Sequence, residues 1–145
     1  HNKHRQVLDI PSLRWSEPLA QYAGEWAAQL QSKGCRLVHR PNNGKYKQLH
    51  GENLFYASQV KWSNGAVQRQ NMTAKQVVDS WASEKADYSF ASNRCREGKA
   101  CVHYTQVVWI NTSEVGCASA VCANKSQIMV CNYNLPGNFN DQRPY

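Results

Sequence analysis

Six cysteines, at positions 35, 95, 101, 117, 122 and 131, constrain this chain more than any other feature. An even set with no Cys-x-x-Cys pair lacks the ligand spacing of a zinc ribbon. It reads as three disulfides formed in an oxidising compartment. The spacing partly dictates the pairing. Cys95 and Cys101 flank a short Gly-containing loop and form a natural local pair. Cys117 and Cys131 are centred on Asn124, inside the turn chemistry of Ala123-Asn124-Lys125-Ser126, so they oppose each other across a hairpin. Cys122 stands an odd number of residues beyond Cys117 and points to the other face of a regular strand. That leaves it for Cys35, provided no strand irregularity breaks the parity.

The rest of the pattern places these bridges on helices and strands. The chain of 145 residues is one domain's worth of sequence, residues 1–145, and long enough to bury a core. Its five Trp, seven Tyr and three Phe exclude a disordered tail. No stretch approaches the ~18 consecutive apolar residues of a membrane span. The net charge of +7 comes from scattered Lys and Arg, without the basic stripe that nucleic-acid binding requires, so no nucleic-acid partner is expected. Leu19, Tyr22, Ala23, Trp26, Ala27 and Leu30 recur at helical spacing behind Ser16 and Pro18, with Gly34 closing the helix. A shorter helix precedes it and stops at Pro11. Arg40 to Leu49 reads as loop, Glu52 to Ser58 as a short helix, and Gln59 to Asn71 as a polar insertion. Thr73 caps a helix carrying Ala74, Val77, Val78 and Trp81, and Tyr88 to Gly98 is loop-like. Val107 to Ile110, Val115 to Val121 and Ile128 to Tyr133 read as strands. Helices first and an antiparallel sheet after predict an α+β fold in layers.

Four polar residues need a reason. Glu84 falls on the apolar face of the helix that carries Val77 and Trp81, where a carboxylate requires a partner unless the helix stops just before it. His103 lies between Cys101 and an apolar run. His39 follows Cys35 by one helical turn, on the same side of a continuing turn, and Glu52 precedes Leu54-Phe55. Two His and two Glu could meet in one cleft, which spacing alone leaves open.

These residues also carry a family likeness. Cys101-Val102-His103-Tyr104-Thr105-Gln106-Val107-Val108-Trp109 and Cys131-Asn132-Tyr133-Asn134-Leu135-Pro136-Gly137-Asn138 resemble the two signatures of the CAP superfamily. That superfamily groups cysteine-rich secretory proteins, antigen 5 and pathogenesis-related 1 (PR-1) proteins. Gly51-Glu52-Asn53-Leu54, Cys35-Arg36-Leu37-Val38-His39 and Trp81-Ala82-Ser83-Glu84 resemble its remaining motifs, in order along the chain. The likeness is greatest to the PR-1 branch, although plant members have Pro where this chain has Leu135. The insertion at 59–71 is more similar to bacterial members. The resemblance implies a three-layer α-β-α sandwich around a mainly antiparallel sheet, with the same three disulfides. It implies that His39, Glu52, Glu84 and His103 line one cleft, and that His39 and His103 bind a divalent metal, usually zinc, as an optional cofactor.

Three functions follow as expectations. The first is a secreted, non-catalytic module that binds a sterol or fatty acid in a groove, with Phe55, Tyr56 and Trp62 as groove candidates. The second is a metal-dependent hydrolase in which Glu52 or Glu84 serves as general base. Two histidines fall short of the three protein ligands of a usual catalytic zinc. The third is a defence or host-interaction protein that meets a cell-surface protein through its exterior. A monomer is expected, located outside the cell or, for a bacterial source, in the periplasm. The absence of an initiating Met at His1 reads as processing.

Overall fold

The computed structural model describes residues 1–145. In chain order its elements are α1 (Asn2–Gln6), β1 (Arg14–Trp15), α2 (Glu17–Ser32), β2 (Gly51–Ala57), β3 (Val60–Lys61), β4 (Val67–Gln68), α3 (Ala74–Ser83), a 3-10 turn (Glu84–Asp87), β5 (Tyr88–Ser89), β6 (Arg94–Cys95), α4 (Val102–Val107), β7 (Glu114–Val121) and β8 (Gln127–Asn134). The central sheet runs in the order β1-β7-β8-β2. β7, β8 and β2 pair antiparallel, and β1 joins the edge in parallel.

Strand alternation sorts the core into two halves. Val115, Met129, Cys131 and Tyr133 pack with Val77, Val78 and Trp81 of α3 and Tyr104 and Val107 of α4. Leu54, Ile128 and Val130 point the other way, onto Ala23, Trp26, Ala27 and Leu30 of α2. The result is the three-layer sandwich, with the sheet buried on both faces. At Gly116 the backbone of α2 comes so close that a Cβ would collide with Leu19 and Ala20. α2 ends as its sequence predicts, with Gly34 at φ +75°, and Thr73 with Gln76 forms a capping box on α3.

All three disulfides take the expected pairing: Cys35–Cys122, Cys95–Cys101 and Cys117–Cys131. Cys117 and Cys131 are direct cross-strand partners. Cys122 lies just beyond β7, on the α2 side.

Several local expectations are corrected. Glu52 to Ser58 is not a helix; β2 occupies it, because β8 offers a seven-residue antiparallel ladder that outweighs local preference. Val107 to Ile110 is not a strand. α4 runs into it, and Val107 and Val108 are buried in the core under α3. The insertion at 59–71 folds as the β3–β4 hairpin, and the segment from Tyr88 contains the β5–β6 hairpin. Cys35 and His39 do not share a helical turn, since residues 36 to 40 have no regular structure.

One residue that sequence reasoning passed over ties the layers together. Arg5 is fully buried. Its guanidinium donates to the carbonyls of Pro11, Val107, Trp109 and Thr112 at 2.6 to 3.1 Å. Five donors in a rigid fork suit such a task.

Candidate functional site

The four predicted polar residues form two His–Glu pairs. Glu52, second residue of β2, has a fully buried side chain. Its Oε1 accepts from His39 Nδ1 at 2.8 Å and from the Arg40 backbone N–H at 3.0 Å. Its Oε2 accepts from Asn132 Nδ2 at 3.3 Å, with the Arg40 guanidinium 3.9 Å away. Asn132 is the β8 partner of Glu52, so strand register delivers this contact. Arg40 is itself buried and lies over the Tyr22 ring at 3.6 Å, which fixes its charge beside the carboxylate. His50 stands edge-on to Tyr22 at 5.0 Å. Burial, and secondarily the charge of Arg40, lowers its pKa from the ordinary histidine value.

The second pair spans a helix break. α3 ends at Ser83, so Glu84 is its C-cap residue and opens the 3-10 turn. The Glu84 carboxylate has three donors. Oε1 accepts from His103 Nδ1 at 2.6 Å, and Oε2 from the backbone amides of His103 and Tyr104 at 3.0 and 3.1 Å. The His103 ring stacks on Trp81, with centroids 6.2 Å apart. Trp81 in turn donates from Nε1 to the Leu54 carbonyl of β2.

No hydrogen bond joins the pairs directly; Asn53 connects them. Next to Glu52 in the chain, it donates from Nδ2 to the His103 carbonyl at 3.1 Å and to the Tyr133 hydroxyl at 3.2 Å. Burial holds the Tyr133 hydroxyl protonated far above the ordinary tyrosine range. No site role was read from sequence for Asn53, Asn132, Arg40 or Tyr22, although Asn53 and Asn132 stand inside the quoted motifs and Asn132 is also an amide inside the apolar run Ile128 to Tyr133.

Both imidazoles use Nδ1 to meet a carboxylate. This arrangement fixes the ring and leaves Nε2 as the nitrogen for an outside ligand, as the carboxylate-backed histidines of metal sites do. In that respect the donor chemistry fits a divalent cation. No three His, Cys, Asp or Glu side chains stand together as a ligand set, so water or an external ligand would complete any coordination shell.

An apolar cleft opens elsewhere, between α3, the chain start and the sheet. It measures about 260 Å³ and is lined by Trp15, Val78, Val115 and Met129 over the Cys117–Cys131 bridge. His1 and Ala74 border it and also line an adjoining polar cleft with Lys3, His4, Lys75 and Asp79. None of Phe55, Tyr56 and Trp62 lines the apolar cleft. Phe55 packs on the core, and Tyr56 and Trp62 are exposed.

The sequence model of the cysteine-rich secretory protein (CAP) family matches residues 1–133. The chain belongs to the CAP family. Its CAP domain is 40% identical over 145 residues to pathogenesis-related protein PR-1 of Medicago truncatula, covering 99% of this chain and 74% of that protein. It is 39% identical to pathogenesis-related protein 1A of Nicotiana tabacum, covering all of this chain and 76% of that one. Among solved structures, venom allergen-like protein 4 of Schistosoma mansoni superposes with a TM-score of 0.67 at 27% identity, over 100% of this chain and 88% of that chain. This CAP chain is therefore of the PR-1 type, and no helix in it is long and apolar enough to cross a membrane. Three disulfides and no free cysteine fit an extracellular, oxidising setting.

Proposed function

We propose that this CAP protein is a secreted, non-catalytic binding module that takes the acyl chain of a fatty acid in the cleft between α3 and the sheet. The carrying observation is the cleft itself, apolar on its walls and open beside a Trp15 that is 59% exposed. In the adjoining cleft Asp79 holds Lys75 and His4, which leaves the Lys3 ammonium to meet a carboxylate head rather than a sterol hydroxyl. Titration with palmitate and with ergosterol, followed by tryptophan fluorescence, tests the reading. Palmitate binds, and Ala74→Trp, an exposed substitution at the mouth, abolishes the binding. No response to palmitate sinks it.

His39 and His103 form the proposed metal site, each imidazole offering Nε2 while Glu52 and Glu84 orient it. A bound divalent cation would supply Lewis acidity to an external ligand. Zinc titration by calorimetry, on wild type and on His39→Ala/His103→Ala, reads the site. Binding by wild type alone supports it, and its affinity falls on acidification because protons compete for Nε2. The hydrolase reading requires a glutamate free to move a proton. Glu52 has no exposed side-chain surface, and both carboxylates are already occupied by fixed donors, which favours binding over catalysis. The PR-1 names of the relatives make defence the setting in which a cell-surface partner would be met.

A further inference from the structure

We infer that the β7–β8 turn end of the molecule is a docking surface for an anionic lipid bilayer, with Trp62 as its inserted anchor. The inference is independent of the acyl cleft.

The charge of this chain is unevenly placed. Residues 26–78 contain eight Lys and Arg but one acid, Glu52, so the whole net charge of +7 resides there. Glu52 is buried against Arg40 and His39 and screens nothing at the surface. The fold then gathers part of this charge at one end of the sheet. Ala57, the end of β2, pairs with Gln127, which pairs with Val121, the end of β7. The Cys35–Cys122 bridge brings the end of α2 to the same place. Exposed Lys33, Arg36, Lys61 and Arg69, joined by Lys125 of the β7–β8 turn, therefore belong to segments that converge on one end, whereas Glu114 lies at the opposite end of β7.

The β3–β4 hairpin springs from this end and is built rather than loose. Trp62 N donates to the Ala66 carbonyl at 2.9 Å and Gly65 N to the Trp62 carbonyl at 3.0 Å, with Gly65 at φ +83°. Gln70 Nε2 closes the base on the Ser58 carbonyl at 2.9 Å. Every residue from 61 to 70 is exposed, and the two strands form a sheet of their own. The structured tip nevertheless holds Trp62 54% exposed and Val67 42% exposed, between Lys61 and Arg69. Tyr56, 40% exposed, lies on the strand that feeds it. An aromatic ring flanked by cations suits the headgroup layer, where the ring lies at the interface and the cations meet anionic lipid. A protein interface would seat a Trp anchor in a packed surround, whereas this ring projects from a hairpin exposed at every residue from 61 to 70, which suits insertion into a bilayer.

The test is co-sedimentation of the full, disulfide-intact, unglycosylated chain with vesicles of phosphatidylcholine alone and with about 30 mol% phosphatidylglycerol, whose negative surface potential attracts exposed Lys and Arg. Binding is expected to the anionic vesicles, with tryptophan emission quenched by brominated acyl chains. Trp62→Ser/Val67→Ser is expected to lower the partition coefficient about tenfold or more and to remove the quenching. Lys61→Glu/Arg69→Glu is expected to weaken it similarly, and so is raising salt from about 0.05 to about 0.5 M. Ala74→Trp docks normally, which separates this surface from the acyl cleft. The inference is overturned if wild type ignores anionic vesicles, if it binds only a soluble polyanion such as heparin, or if Trp62→Ser/Val67→Ser binds like wild type.

Discussion

Glu84 grips His103 at two points, its ring through Oε1 and its backbone amide through Oε2. The second contact, shared with the Tyr104 amide, caps α4 from outside the helix. A six-residue helix of Val, His, Tyr, Thr and Gln is weak on its own, so this carboxylate is what starts it. Glu84→Ala is expected to cost about 1–2 kcal/mol in urea unfolding, the usual range for a lost cap. Glu84→Gln keeps an acceptor and is expected to cost less. Equal losses in both variants would mean that charge, not capping, is what Glu84 supplies.

Arg5 offers a sharper stability test. Arg5→Met fills much of the same volume but abandons four carbonyls, of which Trp109, just beyond α4, keeps the Thr112 N–H, leaving Pro11, Val107 and Thr112 to lose the Arg5 donor. Each unsatisfied buried acceptor costs about 1–3 kcal/mol, moderated where the site relaxes or admits water. A total loss of at least about 3 kcal/mol is expected, measured by chemical denaturation. A shift within about 0.5 kcal/mol, the range of ordinary surface substitutions, would show that the segment around α1 is peripheral to stability.

These two residues mark the boundary of what the sequence makes legible. Strand parity reads well because it is local: the pairing of Cys117 with Cys131 and the opposite facing of Cys122 follow from counting alone. The helix α2 follows from its stripe for the same reason. Glu84 announced its need for a partner by standing among apolar residues. What failed depends on distant segments. β2 is a strand because β8 pairs with it, and α4 is a helix because Glu84 caps it and α3 covers it. Arg5 and Arg40 look like surface cations in sequence, and only the folded chain supplies the carbonyls and the Tyr22 ring that enclose them. The position of His39 and His103 against Glu52 and Glu84 came from the resemblance; Asn53, which links the pairs, came only from the structure.

The disulfides are expected to rank by the loops they close. Cys35–Cys122 spans 87 residues, Cys117–Cys131 spans 14 and Cys95–Cys101 spans 6. Restriction of the unfolded chain grows with the logarithm of loop length, giving about 4.5 kcal/mol for the first and roughly 3 kcal/mol for the second. Paired Cys→Ser variants, unfolded in urea without reductant, should fall in that order. If the Cys95–Cys101 variant lost the most, its bridge would be acting on the folded state, by holding the loop that leads into α4.

Asp79 ties acid stability to α1. Hydrogen bonds from Lys75 Nζ at 2.5 Å and His4 Nε2 at 2.8 Å hold its carboxyl at a pKa of about 2, against an ordinary 3.8. A depressed carboxylate stabilises the fold fully above its unfolded value, and the contribution is lost as pH falls from about 4 to about 2. Asp79→Asn carries no ionisable group and should show a shallower decline in stability across that window, with little change in slope above pH 5. The measurement is the urea midpoint at closely spaced pH values for both proteins. Parallel curves below pH 4 would show that Asp79 titrates in the folded protein as it does in the unfolded chain, and that its bonds to Lys75 and His4 are not kept in solution.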